Sequence, residues 1–155
     1  MTHIVAVEPQ HPHALSLLRE AALEARALYP ELFALDAPLA SNGPATPGSI
    51  YLLAYNPSGQ AVACGALRRI DACCAEVRRM FVTAAARRRG LARAVLQALE
   101  DAARRLGYSA LRLETGYRQE PAMALYRAAG FAAIPPFGPY IGDPVSRCFE
   151  KELAS

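Results

Sequence analysis

A strand, an arginine-rich loop and a long helix follow one another in the middle of this chain, and that unit sets the fold class. Glu76 to Val82 read as a strand, and Arg93 to Leu106 place apolar residues at helical spacing. Between them stands Arg87-Arg88-Arg89-Gly90-Leu91-Ala92. Glycine and alanine let backbone approach a ligand closely, and the first turn of a helix offers unpaired N–H groups. Three arginines beside the positive end of a helix dipole are unfavourable by themselves, and an anion such as phosphate or pyrophosphate relieves that conflict. The other reading is an ordinary helix start with solvated arginines. Neither G-x-x-x-x-G-K-[ST] nor a G-x-G-x-x-G that opens a βαβ unit occurs in the chain.

The 155 residues make about one domain, long enough to enclose a sizeable core, with 53% hydrophobic and 20% charged residues. No apolar run is long enough to span a bilayer, and the first residues lack the layout of a signal peptide, so a cytoplasmic protein without membrane partners is expected. Cys64, Cys73, Cys74 and Cys148 form no C-x-x-C pair and read as free thiols. His11 and His13 lack a third ligand, so no metal site is expected. The net charge of +3 is mild, and the arginine pairs lack interleaved aromatics, which argues against nucleic acid as a partner.

Along the chain, Ile4 to Val7 read as a strand, Ala14 to Leu28 as a helix stopped at Tyr29-Pro30, and Glu31 to Leu39 as a second, shorter helix. Ser41 to Ser49 form a Pro/Gly/Asn-rich loop, the best candidate for a mobile segment. Strands Ile50 to Tyr55 and Ala61 to Ile70 flank the turn signal Asn56-Pro57-Ser58-Gly59. After the long helix come a strand at Ala110 to Thr115, a helix at Pro121 to Ala129, a proline-rich loop and a last strand around Ser146 to Glu150. No repeat or linker divides the chain, so residues 1–155 form a single α/β domain.

The spacing Arg87-x-x-Gly90-x-Ala92 resembles the acetyl-CoA pyrophosphate loop [Q/R]-x-x-G-x-[G/A] of the GNAT superfamily of N-acetyltransferases. Ala124-Leu125-Tyr126-Arg127-Ala128-Ala129-Gly130-Phe131 is similar to the helix that follows in that family, allowing for local offsets. The resemblance covers Ala61 to Glu150 well and the first sixty residues by element order only. The closing loop, Pro135 to Tyr140, and the strand after it resemble a bacterial subgroup assigned by family alone. The resemblance implies a GNAT fold: a mixed central sheet of six to seven strands, splayed between strands 4 and 5 and flanked by about four helices. It implies acetyl-CoA as co-substrate, gripped by Arg87, Arg88, Arg89, Gly90, Leu91, Ala92 and Arg93. Backbone groups of Met80, Phe81 and Val82 would pair with its pantetheine arm, and an N–H near Met80 or Phe81 would polarise the thioester carbonyl. Gln119 stands where many members have asparagine on the cofactor, and Tyr126 would sit near the sulfur.

Acetyl transfer to an amine needs a proton acceptor, a donor for the developing oxyanion and a proton source for the leaving thiolate. Glu76, eleven residues before Arg87, matches the spacing of the glutamate base in members that use one. Alternation puts Glu76, Arg78 and Met80 on one strand face and Val77, Arg79 and Phe81 on the other. In the simplest hairpin register Arg69 faces Glu76, so an ion pair weighs equally with a base. Tyr126 is the candidate general acid, a phenol of pKa about 10 against about 8.5 for a thiol; a half-buried tyrosine with a satisfied hydroxyl is the plainer reading. Tyr29, Phe33, Phe137 and Tyr140 are candidate walls of an acceptor pocket. Glu31 and Asp36 are candidates for attracting an amine, and Arg69 or Arg78 for holding a carboxylate; loop packing explains any one of them as well. The expected activity is transfer of an acetyl group to a primary amine of a small or amino-acid-like molecule in a ternary complex. The rival readings are protein or peptide acetylation, a non-catalytic acyl-CoA-binding regulatory module, and a nucleic-acid-binding domain. A homodimer is left open.

Overall fold

The computed structural model describes residues 2–32 and 41–154. Strand β1 (His3–Ala6) leads into helix α1 (Pro12–Leu28), which stops before Pro30 and passes into a short 3-10 turn, Pro30–Leu32. Strands β2 (Ile50–Tyr55), β3 (Ala61–Arg69) and β4 (Cys74–Val82) form a meander. Helix α2 (Leu91–Arg105), strand β5 (Ala110–Gly116), helix α3 (Glu120–Ala128) and strands β6 (Ala132–Ile134) and β7 (Ser146–Glu152) complete the chain. The described residues thus hold three α-helices rather than about four. Beyond Leu32, the expected second helix lies outside the described residues.

One seven-stranded sheet runs in the order β1-β2-β3-β4-β5-β7-β6. Every neighbouring pair is antiparallel except β4 and β5, which are parallel. Helix α2 packs on one face: Val95, Leu96 and Leu99, each 0% exposed, meet Leu67, Val77, Leu111 and Leu113. This contact is close because β3 carries Gly65, where a Cβ would stand only 2.8 Å from both Met80 Sδ and Val95 Cγ1. Helix α1 covers the other face, with Ala14 and Leu17 against Tyr51, Leu53 and Cys64. Among the described residues no helix is long and apolar enough to cross a membrane.

Two irregularities in β4 position the site. The β3–β4 turn closes around Asp71, whose carboxylate accepts from the N–H groups of Cys73 and Cys74 at 2.8 and 2.9 Å. The resulting register sets Arg68, not Arg69, opposite Glu76. Further on, Ala66 pairs with Arg78 but Cys64 pairs with Phe81, so β4 carries an extra residue, and Arg79 adopts the left-handed φ of 60°. The bulge overturns simple alternation. Arg79 and Phe81 join Arg78 on the α1 side, while Met80 packs with Val77 into the α2 core.

Parallel pairing of β4 with β5 ends at Val77–Leu113. From Glu114 to Gly116, β5 pairs only with β7. A wedge therefore opens between the second half of β4 and the end of β5.

Candidate functional site

At one side of the wedge, a 3-10 turn (Ala84–Ala86) brings the chain to the start of α2. Arg88 and Gly90 both take left-handed backbone, with φ of 65° and 77°. Space does not demand glycine at residue 90, since a Cβ there would meet nothing within 4 Å; the backbone angle does. No side chain caps the helix, so its first N–H groups stay available beside a cavity of about 160 Å³. Val82, Arg88, Gly90, Ala92, Arg93 and Leu125 are among its lining. Arg89 does not line it. Arg87 also lines it but already has partners: its Nη2 reaches both carboxylate oxygens of Glu24 at 2.7 Å, and its Nε donates to the Val82 carbonyl at 3.0 Å. That pair ties α1 to the loop.

Helix α3 brings Leu125 to this cavity and, one residue on, buries Tyr126 against Phe131, ring centroids 5.9 Å apart. Burial alone pushes the Tyr126 phenol up to about 12. Gln119 is the N-cap of α3, yet its side chain makes no capping bond. Met80, Phe81 and Val82 line the wedge side of β4 after the bulge, half-buried.

The face opposite α2 carries an ordered row of charges. Arg68, Glu76, Arg112 and Glu150 lie side by side across β3, β4, β5 and β7. Arg68 bonds Glu76 at 2.7 Å, and Arg112 bonds Glu150 at 2.8 Å. Glu76 is 2% exposed, and its second oxygen accepts from the Tyr140 hydroxyl at 2.6 Å. Burial and the Glu76 carboxylate both push the Tyr140 phenol upward, which keeps it a donor. Past the end of β4–β5 pairing stands Glu114. One of its oxygens accepts from Ser146 Oγ at 2.6 Å, and the other has no hydrogen bond among the described residues. Burial raises its pKa above the ordinary glutamate range, with further repulsion from Asp143 and Glu76, against the lowering effect of Ser146 and Arg78.

Several expected pocket walls are used as packing. Tyr29 is buried over Gly116, and its hydroxyl accepts the Arg118 N–H at 2.9 Å. Glu31 is paired with Arg118. Phe137 stacks edge-on with Tyr140 and receives the Arg112 guanidinium at 5.5 Å. Phe33 and Asp36 lie outside the described residues. Arg78 lines a cavity on this face, and Arg69 is not part of that lining. A cavity of about 250 Å³ lies against β2, β3 and the β4 bulge, roofed by part of the 42–49 loop. The loop is anchored, because Asn42 bonds Arg79 and the Pro9 carbonyl, and Tyr108 donates to the Gly48 carbonyl at 2.6 Å.

The sequence profile of the Acetyltransferase (GNAT) family matches residues 14–131. The chain belongs to this family. It is similar to the "IAA acetyltransferase" of Azospirillum brasilense, 47% identical over 105 residues, which are 67% of this chain and 69% of that one. An uncharacterised N-acetyltransferase of Bacillus subtilis is 40% identical over 92 residues, 58% of this chain and 61% of the relative. Among solved structures, a Klebsiella pneumoniae protein assigned as an acyl-CoA N-acyltransferase superposes with a TM-score of 0.81 at 33% identity, covering 99% of both chains.

This GNAT chain is an acetyl-CoA-dependent N-acetyltransferase. Its residues fit that co-substrate: an uncapped helix start with left-handed Gly90 borders a cavity, and β4 lacks a partner strand where a pantetheine arm would need one. Sequence reasoning did not single out Glu114 or Asn42, both close to the wedge and its cavity. Glu114 carried a signal in its place on the polar face of β5. Asn42 carried none, since its partner Arg79 lies 37 residues away.

Proposed function

We propose that the acceptor is a primary amine of a small, amino-acid-like molecule, taken up in the 250 Å³ cavity beside the wedge. The observation that carries this reading is that Arg78, which lines the cavity, shares a sheet face with Glu114 across the wedge. A cavity of that size suits a small acceptor. Acetyl-CoA supplies the activated acetyl thioester. The N–H groups at the start of α2, with Arg88 and Arg93, hold its pyrophosphate, and Gln119 contributes a further contact from the start of α3. Backbone of Met80, Phe81 and Val82 aligns the pantetheine arm as a strand would be aligned. A backbone N–H near Met80 or Phe81, beside the bulge, polarises the carbonyl.

Glu114 is the proton acceptor for the incoming ammonium, directly or through water. It has an uncommitted oxygen, and a raised pKa makes it a stronger base than an ordinary glutamate. Glu76, with both oxygens engaged, instead positions Tyr140 and Arg68. Tyr126 remains protonated across the working pH range. Complete proton transfer from a phenol near 12 to a thiolate whose thiol pKa is about 8.5 is uphill by roughly 3.5 units. Its hydroxyl therefore acts as a hydrogen-bond donor toward the sulfur rather than handing its proton over.

Thiol release from acetyl-CoA over a panel of amines, amino acids, polyamines and peptides tests the reading. Release matched by N-acetylated small amines is expected. Release with peptides alone would move the acceptor to proteins, and tight acetyl-CoA binding without any release would leave a binding module.

A further inference from the structure

The acceptor cavity has an unusual charge balance. Arg68, Arg78 and Arg79 line it, and among the described residues no aspartate or glutamate does. Arg68 is balanced by Glu76 at 2.7 Å. Arg79 has only neutral partners, Asn42 Oδ1 at 3.0 Å and the Ser41 carbonyl at 3.3 Å. Arg78 makes no hydrogen bond or ion pair among the described residues. The bulge at Arg79, φ 60°, sets these two guanidiniums on one side of β4, where regular alternation would separate them. Burial and the neighbouring Arg78 charge accordingly lower the Arg79 pKa.

A second, independent feature lies in the same wall. The Tyr51 hydroxyl is buried, with the residue 4% exposed, and makes no hydrogen bond of full geometry among the described residues; the side chains of Asn42 and Cys64 are the polar groups beside it. A buried hydroxyl with only poorly aligned partners gains from an acceptor that meets it squarely. Two like charges and an under-satisfied O–H around one cavity describe a receptor for an anion.

We propose that the acetyl acceptor carries a carboxylate, and that Arg78 and Arg79, with the Tyr51 hydroxyl, form its binding subsite. This rests on the acetyl-transfer reading above and narrows it to amino acids and related zwitterions. A planar carboxylate accepts two parallel guanidinium bonds and still has lone pairs for a phenol. Its amine then faces Glu114 across the wedge, on the sheet face that Arg78 and Glu114 share. Selection works by charge on both ends: the arginines hold the anion, and Glu114 receives the proton of the ammonium.

The test compares amino acids with their own carboxamides and decarboxylated amines as acceptors, in the wild-type enzyme and in Arg78→Met and Arg78→Lys. Using the same acceptor series in all three proteins cancels differences in amine basicity. The wild type should prefer the acid over its carboxamide by at least about tenfold in kcat/KM. That ratio should collapse toward unity in Arg78→Met and partly return in Arg78→Lys. Circular dichroism and thermal unfolding check that each variant folds, and Tyr51→Phe, a smaller change, should reduce the same ratio about threefold to tenfold. Equal use of acids and carboxamides by the wild type, or a ratio unchanged in folded Arg78→Met, overturns the subsite. Absence of thiol release with every acceptor would instead overturn the acetyl-transfer reading. In that case titration of N-acetyl amino acids against their amides still reads the subsite: binding of the acids alone sustains it, and equal or absent binding overturns it.

Discussion

The start of α2 and the cavity against the β4 bulge both gather arginines, yet they use them differently. At the loop, Arg87 is committed to Glu24 and Arg89 lies off the cavity, so the anion site is chiefly a backbone device: left-handed Gly90, an uncapped helix end and exposed N–H groups. In the cavity the groups are side chains from separate segments, Asn42 from a loop, Tyr51 from β2, Arg68 from β3 and Arg78 and Arg79 from β4. A backbone site asks for a short contiguous sequence and serves a ligand that does not vary. A side-chain site can be rewritten residue by residue, which suits the partner that differs between members of a family.

The largest expected effect falls on the backbone device. Gly90→Val places a β-branched residue at φ 77° and should weaken acetyl-CoA about 100-fold or more by calorimetry. Affinity within a few fold of wild type would break the contrast by showing that side chains hold the donor. Next, Glu114→Gln should lower kcat/KM about 100-fold at neutral pH while leaving acetyl-CoA affinity nearly intact. With Glu114 as the proposed base, the wild-type rate should rise as pH climbs through its raised pKa, and that limb should vanish in the variant. Glu76→Gln should lose stability through its broken bond to Arg68 yet keep the limb; the opposite result would return the base to Glu76. Tyr126→Phe should reduce kcat about tenfold with little change in cofactor affinity, and its removal should leave the acid limb in place. Smallest of all, Glu24→Gln breaks an exposed ion pair and should alter acetyl-CoA affinity by less than about threefold. A larger loss would assign the donor grip to Arg87 after all.

This contrast also explains what could be read from the sequence. The unit of β4, loop and α2 was legible because its glycine, its arginines and its 3.6-residue periodicity are local. So was the buried tyrosine of α3, from Leu125-Tyr126 to Gly130-Phe131. What escaped depends on register. A turn closed by Asp71 moved the partner of Glu76 from Arg69 to Arg68. One extra residue in β4 then turned Arg79 to the acceptor side and Met80 into the core, and no spacing rule marks where a strand will bulge. Tyr29 looked like a pocket wall because it is aromatic, and Glu31 like an attractor of the amine because it is acidic. Their partner, Arg118, is brought near only by the far side of the fold.

The most direct measurement is an NMR titration of 15N-labelled protein with acetyl-CoA, following the amides of residues 88 to 93 and those of residues 76 to 79. A grip built on helix N–H groups predicts the largest shifts at Gly90, Leu91, Ala92 and Arg93, persisting in Arg87→Ala. Saturable binding that leaves those four amides unmoved would contradict it.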